Sequence, residues 1–279
     1  MKVLIKSLDN LPPMPAVAIE VVRLLRDPNC DADDLARAIA LDPSVSLMVL
    51  KLANSSFYGL QRKVTTIRSA IVVLGQKALQ NLVLAVSLKN FYSDINESDK
   101  RLWEDAFGCA LAARLVGTLV QDINEEEAFL AGLIRHLGKM VLKLKNHEVY
   151  DKVEKLVATG DAKSSEIEKR FFEFSHGEVG ASILQRWNFP EIFVKVTLHH
   201  EDMAIDPVRE PTVAKLVAAI NLAEGMCRRN GIGRQGPEVD LDLSLLPATK
   251  FLGLLPTTLD SLESHFMEVI DKDLGLFMP

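Results

Sequence analysis

An all-α fold is what this sequence of 279 residues predicts, and three observations carry that reading. Apolar residues recur at spacings of three and four through most of the chain, the period of a helix with one buried side. Cap residues and helix stops punctuate it at short intervals, with Asp, Asn, Ser or Thr before a periodic segment and Gly or Pro after it. No segment reads convincingly as a strand, and no internal repeat or low-complexity tract is present.

Taken in order, residues 11–15 (LPPMP) are too proline-rich for regular helix. From Ala16, Val17, Val21, Leu24 and Leu25 fall at helical spacing, and Asp27–Pro28–Asn29 stops that helix. Asp31 is placed to cap a helix from Ala32 to about Ala40. Asp42 and Pro43 read as the cap and first residue of the next, which runs to about Asn54. Thr66 or Ser69 opens a short helix ending near Gly75, and a longer one follows from Gln76 to about Phe91. The polar stretch 93–101 is the predicted boundary between subdomains. Trp103 is expected to open a helix reaching Leu119, and Asn124 to cap one reaching about Lys145. Helices are further expected over 147–160, from Ser164 to about Phe174, from His176 to Trp187, and from Pro190 to His199–His200–Glu201. The remainder reads as a helix over 212–229, a glycine-rich loop over 230–242, and short helices over 248–254 and about 257–273. Domain limits follow at 1–95, 96–230 and 231–279.

Composition narrows the classes of function. An apolar content of 48% and a charged content of 25% are ordinary for a globular protein. A net charge of −6 argues against a protein that coats nucleic acid or a membrane surface. No apolar run approaches the roughly 18 residues of a spanning helix. Val3–Ile5 is too short an apolar core for a signal peptide, so the predicted compartment is the cytoplasm. Cys30, Cys109 and Cys227 show neither zinc-knuckle nor redox spacing.

Charge is distributed unevenly. Between Asp42 and Asp94 there is no acidic residue, while Lys51, Arg62, Lys63, Arg68, Lys77 and Lys89 fall there. Arg62, Lys63, Arg68 and Lys77 are the candidate basic face for an acidic partner. The alternative is a set of solvated helix ends neutralised by carboxylates elsewhere in the chain. The tight turn at Leu41–Asp42 resembles a helix-turn-helix, but the following PSVSLMVLKLAN offers a groove little beyond Lys51, which does not favour DNA binding.

The candidate chemistry lies in AFLAGLIRHLGKM (128–140) and in FSHGEVGASILQRWNFPEIFVKVTLHHED (174–202). There is no P-loop and no nucleophile elbow, and Gly231-Ile-Gly233 lies outside any strand–turn–helix context. With LPPMPAVAIEVVRLLRDP, ALDPSVSLMVLKLANSSFYG and TIRSAIVVLGQKALQNLVLA, these segments resemble the HDOD domain over about residues 8–204. That domain is an all-helical relative of the HD and HD-GYP phosphohydrolases of bacterial signalling. The resemblance implies an N-terminal helical subdomain packed on an HD-like bundle.

In catalytic HD proteins, histidines and aspartates from separate helices hold metal ions that activate water against a phosphoester. Carried onto this chain, the first-helix histidine falls at Asp105 and the His-Asp doublet at Arg135 and His136. The downstream histidine is His176, the adjacent pair His199 and His200, and the late aspartate Glu224. Arginine keeps its proton and cannot ligate a metal, so no catalytic residue and no cofactor is assigned. Arg135 is expected instead to hold a carboxylate such as Glu201 or Glu224. If a single divalent ion is held, the resemblance offers His176, His199, His200 and Glu224. Lys139 is the candidate donor to a small anion.

The resemblance thus implies a non-catalytic signalling module, which binds a partner of the receiver or cyclic di-GMP enzyme class and carries a vestigial pocket. No receiver segment is present in this sequence, so the module either acts alone or belongs to a longer protein. The alternative is a metal-dependent phosphohydrolase acting on a nucleotide or cyclic dinucleotide. A weaker alternative is nucleotide or RNA binding through the basic stretch, which predicts steep salt dependence.

Overall fold

The N-terminal helices are arranged around one of their own number. A computed structural model describes residues 14–27, 29–89, 97–158 and 162–277. Helices α1 (Ala16–Leu25), α2 (Ala32–Ala40), α3 (Pro43–Ala53) and α4 (Ile67–Leu74) all pack on α5 (Gln76–Lys89). Every residue of α5 from Ala78 to Leu88 is buried, the condition of a helix enclosed on all sides. The predicted caps are in place. Asp31 accepts from the Asp34 amide, Asp42 from those of Ser44 and Val45, and Thr66 from that of Ser69.

The second part is built on a long hairpin, α6 (Glu97–Leu119) and α7 (Glu125–Ile134), with Asn124 capping α7. Four shorter helices follow: α8 (Leu137–Lys145), α9 (His147–Val157), α10 (Ser164–Phe172) and α11 (His176–Arg186). Then come α12 (Glu191–His199), α13 (Pro211–Asn230), α14 (Pro247–Leu252) and α15 (Pro256–Phe277). α13 lies against α6 and α7, α8 against α11, and α11 against α12. The described residues contain no strand, and the all-α expectation holds. One apolar cluster extends from Met14 to Ile270 through both parts. Asn81 of α5 ties them further, donating to the Glu126 carbonyl oxygen at 2.7 Å.

Three local differences from the sequence reading have physical causes. α6 begins at Glu97, ahead of Trp103. Its polar first turns are recruited by a tertiary ion pair, because buried Asp99 meets Nζ of buried Lys143 at 3.0 Å. The helix expected from Asn124 to Lys145 is broken at Arg135–His136. The break turns both side chains toward Asp105 and brings Gly138 against α11. The cap position of α10 is Lys163 rather than a serine, while Ser164 donates from its side chain to Glu168 at 3.1 Å. Residues 11–13, 91–96 and 159–161 lie outside the described residues, and with them parts of the expected LPPMP segment, the 93–101 boundary and the helix end near Gly160.

Candidate functional site

Four chain segments bring the chemistry-bearing residues together. Asp105 comes from the middle of α6, and Arg135 and His136 from the break between α7 and α8. His176 is the first residue of α11, and His200 caps the end of α12. The start of α11 is fixed by a capping box. Ser175 accepts from the Glu178 amide while Glu178 accepts from the Ser175 amide. Ser175→Ala is therefore expected to cost about 1–2 kcal/mol in denaturant unfolding, because the Glu178 amide loses its acceptor.

Arg135 is wholly buried and pairs with Asp105, its NH2 group lying 2.5 Å from Oδ2. NH1 donates to the Gly132 carbonyl at 3.0 Å. This replaces the expectation that Arg135 would hold Glu201 or Glu224. α6 passes directly beside the break, so the carboxylate that Arg135 meets is that of Asp105. The same Oδ2 of Asp105 lies 2.7 Å from Nδ1 of His136. Nδ1 of His176 lies 2.7 Å from Oε2 of Glu168, and Nδ1 of His200 lies 2.8 Å from the Thr197 carbonyl.

These three bonds fix the tautomers. A carbonyl oxygen only accepts, so His200 carries its proton on Nδ1. Burial pushes the Glu168 pKa up, but His176 and Lys139 outweigh it and hold the carboxyl below its ordinary value. His176 therefore donates from Nδ1 to a carboxylate, as His136 does to Asp105. The Nε2 side of each ring is thereby turned toward the other two. Nε2 of His136 is buried and has no hydrogen-bond partner. Nε2 of His176 and of His200 face each other at 3.0 Å.

Ligand-capable nitrogens of His136, His176 and His200 all lie within 4.8 Å of one another. Burial, then Arg135 and Lys139, hold the His136 pKa well below its ordinary value. Burial and then His176 bring His200 down to about 4. Imidazoles whose Nε2 atoms converge, each oriented through its other nitrogen by an acceptor, are the donor set of a divalent transition metal. The residues present fit such an ion.

The neighbouring carboxylates are ionised. Oε1 of Glu201 lies 3.6 Å from Nε2 of His176. Burial raises the pKa of Glu201 and of Glu224, but the surrounding cations prevail. His176 and Lys139 bring Glu201 to about 2, and Arg135 and Lys139 bring Glu224 to about 2. Both line a cavity of about 740 Å³ beside the histidines, together with Lys139, Asn221 and Arg234. A second cavity of about 190 Å³ is lined by Asp105, His136, Lys139, Tyr150 and Arg234.

Not every candidate from the sequence enters this group. His199 is partly exposed and turns to Asp202, with 3.4 Å between Nδ1 and Oδ1. Adjacent residues at a helix end point in different directions, and His200 is the one directed inward. On the expected basic face, Arg68 pairs with Asp33 and Lys77 with Glu127, while Arg62 and Lys63 are exposed. His136, a pocket candidate at the aspartate position of the doublet, supplies a third imidazole. Two contributors are not among the candidates from the sequence. Glu168 follows Ile167 onto the apolar side of α10. Arg234 lies in a loop that carried no motif.

Helices packed in this order around a buried histidine group define a helical protein of the HD-like class. Residues 11–203 match the HDOD domain, and the chain belongs to that family. It is 24% identical over 216 residues to an uncharacterized protein of Treponema pallidum, covering 77% of this chain and 42% of that relative's length. Among solved structures it resembles an HDOD domain protein of unknown function from Geobacter sulfurreducens. There the TM-score is 0.77, with 23% identity, over 99% of this chain and 94% of that one. A proposed phosphohydrolase from Shewanella amazonensis gives a TM-score of 0.75 at 22% identity, covering 98% and 96%. A proposed signal transduction protein from Marinobacter aquaeolei gives 0.73 at 21%, covering 98% of this chain and 61% of that one. At these identities the likeness is one of fold. No helix among the described residues is long and apolar enough to cross a membrane.

Proposed function

We propose that this chain is a regulatory module of bacterial signal transduction, working in the cytoplasm, whose interior holds one divalent metal ion on His136, His176 and His200. The observation that carries the metal reading is the convergence of three imidazole Nε2 atoms whose rings are all fixed through Nδ1. Two Nε2 lone pairs facing each other at 3.0 Å repel unless a proton or a cation lies between them. When bound, the ion supplies a Lewis-acidic centre that recruits an anionic group. Asp105, Glu168 and the Thr197 carbonyl then orient the rings.

Regulation is favoured over two-metal hydrolysis because Arg135 sets a permanent positive charge on Asp105, where a further ion would need a free carboxylate. A partner of the receiver or cyclic di-GMP enzyme class is supported by the exposed apolar side chains of the N-terminal helices. Leu47 and Val72 are 73% and 82% exposed, on the same helical unit whose loop exposes Arg62 and Lys63. Single-metal phosphohydrolysis is the second reading, favoured by ionised Glu201 and Glu224 in the cavity beside the histidines.

The test is metal content after purification without chelator, followed by Co²⁺, Mn²⁺, Fe²⁺ and Zn²⁺ titration of dialysed protein. One ion per chain is expected. His136→Ala and His200→Ala should each weaken binding about 100-fold or more, since the donors themselves are lost. Failure to take up any of these ions sinks the metal reading. Cleavage of bis(p-nitrophenyl) phosphate by loaded protein, lost in His136→Ala, would replace regulation with hydrolysis.

A further inference from the structure

The N-terminal helices carry a surface on which apolar and cationic side chains stand together in solvent. Leu47 and Lys51 are four residues apart on α3, so they share one stripe of that helix, and both are exposed. Nδ2 of Asn54 donates to the Leu50 carbonyl oxygen at 2.7 Å and to that of Val64 at 2.8 Å, while its Oδ1 accepts from the Val64 amide at 2.8 Å. The loop after α3 is thereby closed onto the end of that helix, and the backbone of Lys63 is brought beside that of Lys51. α4 follows the loop and packs on α3. It buries Ala70 and Ile71 and leaves Val72 and Val73 exposed. Valine is a poorer helix former than alanine, so neither burial nor helix propensity accounts for valines at these two positions.

The charge of this surface is not balanced from within. Residues 43–93 hold six lysines and arginines and no acidic residue, so against a net charge of −6 the rest of the chain carries −12. Arg68 is answered by Asp33 and Lys77 by Glu127. Lys51, Arg62 and Lys63 make no ion pair among the described residues. Burial first, and then the charge of Lys51, hold the pKa of Lys89 below its ordinary value, so cations of this unit act on one another.

We infer that α3, α4 and the loop between them form a docking surface for an acidic amphipathic helix of a partner protein. This rests on the partner reading above and adds to it the chemistry of the partner. Leu47 and Val72 supply the apolar centre, and Lys51, Arg62 and Lys63 supply a rim that carboxylates complement. Among the described residues there is no strand edge for a partner to extend. An amphipathic helix is the form that presents an apolar stripe flanked by carboxylates. A second copy related by a two-fold axis would set this basic surface against itself. The phosphates of a nucleic acid would gain from the cations but nothing from Leu47, Val72 and Val73.

Fluorescence anisotropy of the full chain with three designed peptides tests this. One is an amphipathic helix with leucine on one face and glutamate on the other. The second has lysine for glutamate, and the third has the first composition with its pattern scrambled. The first should bind about tenfold or more tighter than either of the others, and less tightly as salt is raised. Leu47→Asp and Val72→Asp should each weaken it about tenfold or more. Val208→Asp, exposed outside the N-terminal helices, should change nothing. Arg62→Glu together with Lys63→Glu should pass the preference to the lysine peptide. Equal affinity for all three peptides overturns the inference. So does tighter binding of oligo(U) RNA or phosphatidylglycerol vesicles that these substitutions abolish, or self-association in sedimentation that Leu47→Asp dissolves. Pattern-selective binding that persists in folded Leu47→Asp and Val72→Asp overturns this surface and leaves a protein partner standing. Absence of binding to any peptide overturns the surface and removes its support from the partner reading as well.

Discussion

Gly138→Ala is expected to destabilise the fold by at least about 3 kcal/mol, the upper range for overpacking a close-packed interior. The added methyl would lie 1.9 Å from the His176 carbonyl oxygen, 2.7 Å from its carbonyl carbon and 2.8 Å from the Gly180 amide nitrogen. All three are backbone atoms, so no side chain can swing aside. α8 would have to lift off α11, and these helices carry His136 at the start of one and His176 at the start of the other. Stability and metal affinity should therefore fall together. Gly275→Ala is the internal control, because a Cβ there meets nothing within 4 Å. It should raise stability by up to about 1 kcal/mol through helix propensity alone. Urea melts of the two variants against the parent measure both. A Gly138→Ala protein as stable as the parent would mean that the two helices do not approach as described.

What the sequence made legible is what short-range chemistry decides. Asp31, Asp42, Thr66 and Asn124 cap the helices they were expected to cap, since a cap is an interaction within a few residues. The start of α6 was not legible, because the Asp99–Lys143 ion pair that recruits it joins residues far apart in the chain. The break at Arg135–His136 was hidden for a similar reason. AFLAGLIRHLGKM has no proline and no glycine at Arg135–His136, and the bend follows from Asp105 on another helix and from the contact with α11. At the site, the resemblance to the HD pattern places His136, His176 and His200 among the pocket candidates. A ligand role for His136 is not legible there, since it stands at the aspartate position of the His-Asp doublet. Only the fold shows its Nε2 beside the other two. Glu168 carried a faint signal, a carboxylate next to Ile167 where the helix turns apolar. Arg234 carried none.

Arg135→Met should cost about 3–5 kcal/mol, the penalty for leaving a buried charge without its partner. Arg135 is wholly buried, and its guanidinium is the nearest cation to the Asp105 carboxylate, which is itself 5% exposed. Much of that cost belongs to the abandoned carboxylate, so adding Asp105→Asn to the Met variant should recover at least about 2 kcal/mol. A coupling of that size is within the range for residues in direct contact. Metal affinity should behave differently from stability. In Arg135→Met, His136 keeps Asp105 as its acceptor and a fixed positive charge leaves the surroundings of the ion, so binding should be unchanged or tighter. Asp105→Ala removes the group that orients His136, and binding should weaken by about 10- to 100-fold. Urea unfolding and Co²⁺ titration of the three variants separate the two roles. If Arg135→Met instead abolished metal uptake in a folded protein, Arg135 would be an organiser of the histidine group rather than the residue that confines it to a single ion.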